Sequence, residues 1–141
     1  VETIVEDMDV KKKVFQVLEG EVSQDTIIAS NTSSLSITEM ATVLTCPERF
    51  IRMHFFSPVN RMPLVEVIRG DKTSDETVAA VVQLVKTLKK TPVVVKNCPG
   101  FLVNRILMPY INEAVLSLII LKYIFSSISL FKAFSICNIS P

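Results

Sequence analysis

The chain has no tryptophan, one histidine and three glycines, and each shortage narrows what its 141 residues can do. The glycines stand apart at Gly20, Gly70 and Gly100. None belongs to a G-x-G-x-x-G turn, so the sequence carries no glycine-rich loop for holding a pyrophosphate with backbone amides. Cys46, Cys98 and Cys137 are widely spaced and form no CxxC or His-paired pattern, which leaves no candidate zinc site or dithiol redox centre. No metal is expected, and a reducing compartment is. Neither sign of charge dominates: fifteen basic against fourteen acidic side chains lack the electrostatic footprint of a nucleic-acid binder or of a protein drawn to acidic membranes. With 49% apolar residues the composition is not disordered and suffices for one ordinary domain, or one domain and the start of another. No basic stretch precedes an apolar core at the N-terminus, and Val1 opens directly in an apolar run, which reads as an interior cut.

Periodicity supplies the elements. Residues 1–5 read as the end of a strand, and Val10, Val14, Phe15 and Leu18 fall on one helical face closed by Gly20. Residues 26–29 suit a short buried strand. It runs into Ser30-Asn31-Thr32-Ser33-Ser34, five small polar residues at the end of a strand, where α/β sheets bind ligands. Ser36 or Thr38 caps a short helix through Val43, ended by the turn at Cys46-Pro47. Residues 50–56 and 64–68 read as neighbouring strands joined by a loop holding Pro58 and Pro63. Ser74, Asp75 and Glu76 then start a helix with the stripe Val78, Val81, Val82, Val85 and Leu88, ended by Lys89 and Lys90. Residues 92–96 give one more strand, Asn97-Cys98-Pro99-Gly100 is the strongest break, and residues 101–116 return to helical spacing.

Strands alternating with helices predict an α/β fold, and the strand-strand-helix-strand order from His54 onward predicts a mixed sheet. The domain boundary is expected near Cys98. Beyond Val115 only Lys122 and Lys132 are charged, and the Ile, Phe, Leu and Ser-rich segment has no clean period. Its structural type stays open, but Lys122 interrupts the best apolar window, so no membrane span is expected.

Two residues point to chemistry. His54 ends an apolar strand, where a lone histidine is most often a hydrogen-bonded core residue. Glu66 lies inside the apolar run Leu64-Val65-Glu66-Val67-Ile68, and a carboxylate there is costly without a partner. The spacing across one loop places the two on facing strands. A carboxylate beside an imidazole fixes its tautomer and stabilises the imidazolium, as a general base taking a hydroxyl proton requires. The competing reading is a structural ion pair of Glu66 with Arg61 or Arg69.

Four blocks in register carry a resemblance. They are Asn31-Thr32-Ser33-Ser34, His54-Phe55-Phe56-Ser57-Pro58-Val59, Met62-Pro63-Leu64-Val65-Glu66-Val67-Ile68, and Cys98-Pro99-Gly100-Phe101-Leu102-Val103-Asn104-Arg105. Together they resemble the motifs of 3-hydroxyacyl-CoA dehydrogenases over residues 1–116. The Arg61-Met62-Pro63 stretch and the Arg69-Gly70 ending are more like the dehydrogenase part of multifunctional fatty-oxidation proteins than the short mitochondrial enzyme.

The resemblance implies NAD-dependent oxidation of (S)-3-hydroxyacyl-CoA to 3-oxoacyl-CoA in fatty acid beta-oxidation. His54 would be the base that accepts the 3-hydroxyl proton, and Glu66 the residue that orients and charges it. Ser33 would lie near the substrate oxygen and nicotinamide, Asn104 near the substrate's reacting end, and Glu6 and Lys11 on the ribose side of the cofactor. Ser57 departs from the family's usual asparagine, which implies a weakened or water-mediated NAD contact.

The resemblance also implies the domain order. Residues 1–98 would be the C-terminal part of a Rossmann-like NAD-binding domain whose glycine-rich unit lies upstream, residues 99–116 the start of an all-α domain, and residues 117–141 an atypical hydrophobic tail. That tail is read as a frameshift, an unspliced segment or a misassembled gene rather than a membrane anchor. The expected partners are an acyl-CoA substrate and, when complete, a second copy or a fatty-oxidation complex. The expected compartment is cytoplasmic for a bacterial chain, mitochondrial or peroxisomal for a eukaryotic one.

Two other readings remain. The chain can be a catalytically silent binding or assembly module that keeps the fold, or another β-hydroxyacid dehydrogenase. The His-to-Glu spacing argues against the latter, since relatives in that group commonly use a lysine base.

Overall fold

Asp7 accepts the amide of Val10 and so starts the first helix, α1, Met8–Glu21. In the computed structural model, residues 1–137 are described, with side-chain surroundings through Phe125. Gly20 does not close α1 as expected; it sits in the last turn, and the Val22 amide ends the helix on Leu18 O. A glycine inside a helix costs only about 1 kcal/mol, which the packed face carrying Phe15 offsets. The expected strand at residues 1–5 reduces to one parallel bridge, Glu2 with Ser30, held by Glu2 N to Ala29 O at 2.7 Å and Asn31 N to Glu2 O at 2.9 Å.

The sheet runs β1 (Ile28–Ser30), β2 (Phe50–Phe55), β3 (Leu64–Arg69), β4 (Thr91–Lys96) in that spatial order. β1 and β2 are parallel, β2 and β3 antiparallel, β3 and β4 parallel, so the sheet is mixed as the sequence predicts. β4 is an edge strand, which is where Pro92 is tolerated. Between β1 and β2 lie α2, Ile37–Met40, and single 3-10 turns at Ala41–Val43 and Pro47–Arg49. Ser36, not Thr38, is the cap of α2, accepting the Glu39 amide at 3.2 Å. α3, Asp75–Thr87, connects β3 to β4 and is capped by Ser74 accepting from Thr77 N.

Alternation along the strands sorts the two faces. Ala29, Ile51, Met53, Val65 and Val67 pack with Val81 and Val85 of α3. On the opposite face Phe50 and Ile68 pack with Phe15 of α1, Ile37 and Met40 of α2, and Phe101. Phe15 and Phe50 meet edge to face with ring centres 4.8 Å apart; truncating either to alanine would cost about 3–5 kcal/mol. By the same alternation Ser30, Arg52, His54 and Glu66 share the face of α1 and α2.

The chain divides into two compact units between Leu102 and Val103, just beyond the Cys98 at which the sequence suggests a boundary. The second unit is helix α4, Val103–Cys137, with Pro109 inside it. The expected helix at 101–116 thus begins two residues later, after a turn in which Gly100 and Phe101 have φ of 74° and 50°. It also continues far into the segment whose type the sequence left open; residues 138–141 of that tail lie outside the described residues. Val103–Phe125 is long and apolar enough to cross a membrane by length and composition, with mean hydropathy 1.4, although Arg105, Glu113 and Lys122 lie within it.

Candidate active site

The antiparallel register sets His54 directly opposite Glu66. Their side chains leave the same face, and His54 Nδ1 lies 2.9 Å from Glu66 Oε2. Both are buried. Glu66 spends its other oxygen, Oε1, on the Leu102 amide at 3.1 Å, so the carboxylate is fixed from two sides. With Nδ1–H donated to the carboxylate, the lone pair of His54 Nε2 is the one left to accept a proton. Glu66 therefore pairs with neither arginine named in the competing reading: Arg69 bonds Asp75 at 2.8 Å, and Arg61 is an exposed loop residue.

Burial disfavours the charged imidazole and, with the nearby charge of Arg52, outweighs the raising effect of Glu66, leaving His54 below its ordinary value of 6.5. The histidine is thus neutral at physiological pH and ready to take a proton.

A second network shapes the loop after β1. Glu6 Oε1 accepts from Thr32 Oγ1 at 2.5 Å, Ser33 N at 2.8 Å, Ser34 N at 3.0 Å and Ser34 Oγ at 3.2 Å. Burial raises the Glu6 pKa, but these donors prevail and hold it below the usual carboxylate value. Behind it Lys11, 1% exposed, pairs with Glu2 at 2.6 Å and lies 3.7 Å from Glu6. Glu2 also accepts from Ser30 Oγ at 2.7 Å. Asn31 Oδ1 accepts the Phe55 amide at 3.0 Å, tying this loop to the end of β2 beside His54.

The first unit therefore brings His54, Glu66, Glu6, Lys11 and Ser33 to one end of the β1–β2 pair. Ser33 and Ser57 are exposed there, Ser57 just past β2 with its hydroxyl free of hydrogen bonds among the described residues. Asn104 lies in the first turn of α4 and belongs to the second unit. A cavity of about 190 Å³ sits instead at the start of β1 and β2, lined by Glu19, Cys46 and Arg49 among others. It touches neither member of the dyad.

Glu2 and Arg52 escaped the sequence reading. Both are charged residues inside apolar runs, the same signal that singled out Glu66.

The residues present fit part of a dinucleotide. The amides of Ser33 and Ser34, which could grip a phosphate, already serve Glu6, and the Glu6 carboxylate would repel one. Partly exposed carboxylate and hydroxyl groups at the carboxyl end of parallel strands suit a ribose and a nicotinamide instead.

A mixed α/β sheet with a carboxylate-supported histidine at the carboxyl end of its parallel strands fits one class: the nucleotide-binding domain of a dehydrogenase. Residues 1–98 match the family described as 3-hydroxyacyl-CoA dehydrogenase, NAD binding domain. The chain belongs to that family. It is 58% identical over 111 residues to the fatty acid oxidation complex subunit alpha of Idiomarina loihiensis, an alignment covering 79% of this chain and 16% of that subunit. The crystal structure of (S)-3-hydroxybutyryl-CoA dehydrogenase from Ralstonia eutropha superposes with a TM-score of 0.78 at 57% identity, covering 80% of this chain and 40% of that one. The 3-hydroxybutyryl-CoA dehydrogenase of Escherichia coli K12 gives 0.79 at 40% identity, over 81% and 24%. The chain thus spans 40% or less of the length of these relatives.

Proposed function

We propose that this chain contributes the proton-transfer half of an NAD-dependent 3-hydroxyacyl-CoA dehydrogenase acting on (S)-3-hydroxyacyl-CoA in fatty acid beta-oxidation. The observation that carries the reading is the 2.9 Å contact of His54 Nδ1 with a buried Glu66 whose second oxygen is also engaged. That arrangement holds one tautomer. Nε2 accepts the proton of the 3-hydroxyl, and Glu66 stabilises the imidazolium as it forms. Bound on the Glu6 and Ser33 side, NAD would supply the acceptor for the hydride leaving C3.

Glu6 and Ser33 stand on the ribose and nicotinamide side, with Ser57 next to the base. Lys11 is buried behind Glu6, so we assign it to holding that carboxylate rather than to touching NAD. Asn104 is assigned to the reacting end of the substrate. A complete protein would bind acyl-CoA and work as a homo-oligomer or within a fatty-oxidation complex, in the cytoplasm if bacterial and in mitochondria or peroxisomes if eukaryotic.

The test is a chimera in which residues 1–98 replace the matching segment of the Ralstonia eutropha enzyme. NADH formation from 3-hydroxybutyryl-CoA is expected, with His54→Ala lowering kcat by about 10²- to 10⁴-fold. A folded chimera without turnover would favour the silent module, and one whose activity survives His54→Ala would remove His54 as the base.

A further inference from the structure

The least expected group in the first unit is Arg52. It is 0% exposed, and its Nε, Nη1 and Nη2 make no hydrogen bond. Among the described residues its head group stacks on a ring: the guanidinium carbon lies 3.6 Å from the centre of Phe101, itself buried. Such stacking contributes about 2 kcal/mol when desolvated. Several kcal/mol is the usual penalty for burying an ion, so stacking alone does not explain its retention. Burial pushes Arg52 down to about 10, against the raising effect of Glu66 and Glu6, so it remains a cation at physiological pH.

Its place on the sheet is specific. Arg52 pairs with Ile68 and His54 with Glu66 in the same antiparallel ladder, so the arginine stands one pleat repeat behind the base, on the same face. The charged groups that bear on His54 are Glu66 from β3, Arg52 from β2 and Glu6 from the segment ahead of α1. The Phe56 ring packs edge-on against it at 4.6 Å. Because no hydrogen bond neutralises the guanidinium, its field reaches the imidazole through low-dielectric protein.

We propose that Arg52 is a positioning residue for the base: a buried, stacked cation on the same face that opposes imidazolium formation in the resting site and so keeps Nε2 unprotonated, with its lone pair available to the substrate. The role rests on His54 being the base, but its physical basis does not. Glu66 stabilises the product of proton transfer, and Arg52 sets how readily solvent protons reach that state first. Together they bracket the imidazole with opposite charges.

His54 is the only histidine, so its ring signals report one titration in the intact 141-residue chain. NMR titration of Arg52→Met and Arg52→Gln should move the His54 midpoint up by about 0.5–1 pH unit relative to the unsubstituted chain. Arg69→Gln, which removes a partly exposed cation paired with Asp75, should leave it in place. Arg52→Met also removes an unpaired buried charge, so it should fold at least as stably. An unmoved midpoint in both Arg52 variants, an equal shift in Arg69→Gln, or unfolding of Arg52→Met would each overturn the proposal. Chimera activity that survives His54→Ala would instead remove the base assignment and leave the titration result standing.

Discussion

Glu66 joins two parts of the first unit: one oxygen meets the imidazole of His54 on β2, and the other accepts the backbone amide of Leu102, beyond β4. The carboxylate is therefore oriented by the main chain before it orients the histidine. Glu66→Gln keeps the shape but removes the charge that stabilises imidazolium, and its NH2 group can displace the required acceptor. In the chimera kcat should fall by about 10²-fold or more while the fold persists. Steady-state kinetics with circular dichroism as a fold control would check it; unchanged kcat would show that Glu66 is only structural.

The depressed pKa of His54 has a defined sign. The unfolded chain binds this proton more readily than the folded one, so the stability His54 contributes is full above its ordinary 6.5 and is lost as pH falls through the lower folded value. The acid limb of kcat/KM should likewise be centred below 6.5. A pH–rate profile centred above that value would mean that another group titrates.

Ion pairs here differ sharply in worth. Lys11 and Glu2 are 1% and 2% exposed at 2.6 Å, whereas Arg69 and Asp75 are 37% and 84% exposed. Glu2→Ala takes the close carboxylate from a buried ammonium, leaving it Glu6 at 3.7 Å and the Ile4 carbonyl at 3.2 Å, and should cost about 3 kcal/mol. Asp75→Ala removes a solvated pair worth about 0–1 kcal/mol. Denaturant unfolding of the two variants side by side would measure the contrast, and equal losses would contradict it.

Ser57 stands exposed where the family usually has asparagine. Restoring the longer amide in Ser57→Asn should gain one hydrogen bond to the cofactor and lower KM for NAD by about two- to tenfold, the equivalent of 0.5–1.5 kcal/mol. Unaltered NAD affinity would mean that this position makes no cofactor contact.

Much of this was legible because some residues allow few alternatives. Glu66 inside an apolar strand demanded a partner, and Ser74 with the valine stripe left α3 little choice. Other features were decided by tertiary context. Gly20 continues α1 because Leu18 and Phe15 are already anchored, and residues 1–5 have apolar content for a strand but only one position next to β1. Arg52 carried the same signal as Glu66, a charge inside an apolar run, but nothing in the sequence foretold that it would be buried against a ring without a hydrogen bond. The covering of Glu66 by Leu102 depends on a turn through positive φ at Gly100 and Phe101, which spacing alone does not reveal.

The loop between β2 and β3 is held by Lys90, which donates to Val59 O at 2.6 Å and Met62 O at 2.8 Å, while Thr91 N bonds Pro63 O. The single antiparallel junction, between β2 and β3 in a sheet whose other neighbours are parallel, thus packs both members of the dyad into one hairpin. Its alignment is all or nothing: slipping β3 by one residue turns Glu66 toward α3 and presents a valine to the imidazole. Such a slip would leave the composition unchanged yet move Val65 and Val67 off their core face, so the packing that buries those valines is also what keeps the carboxylate opposite the imidazole.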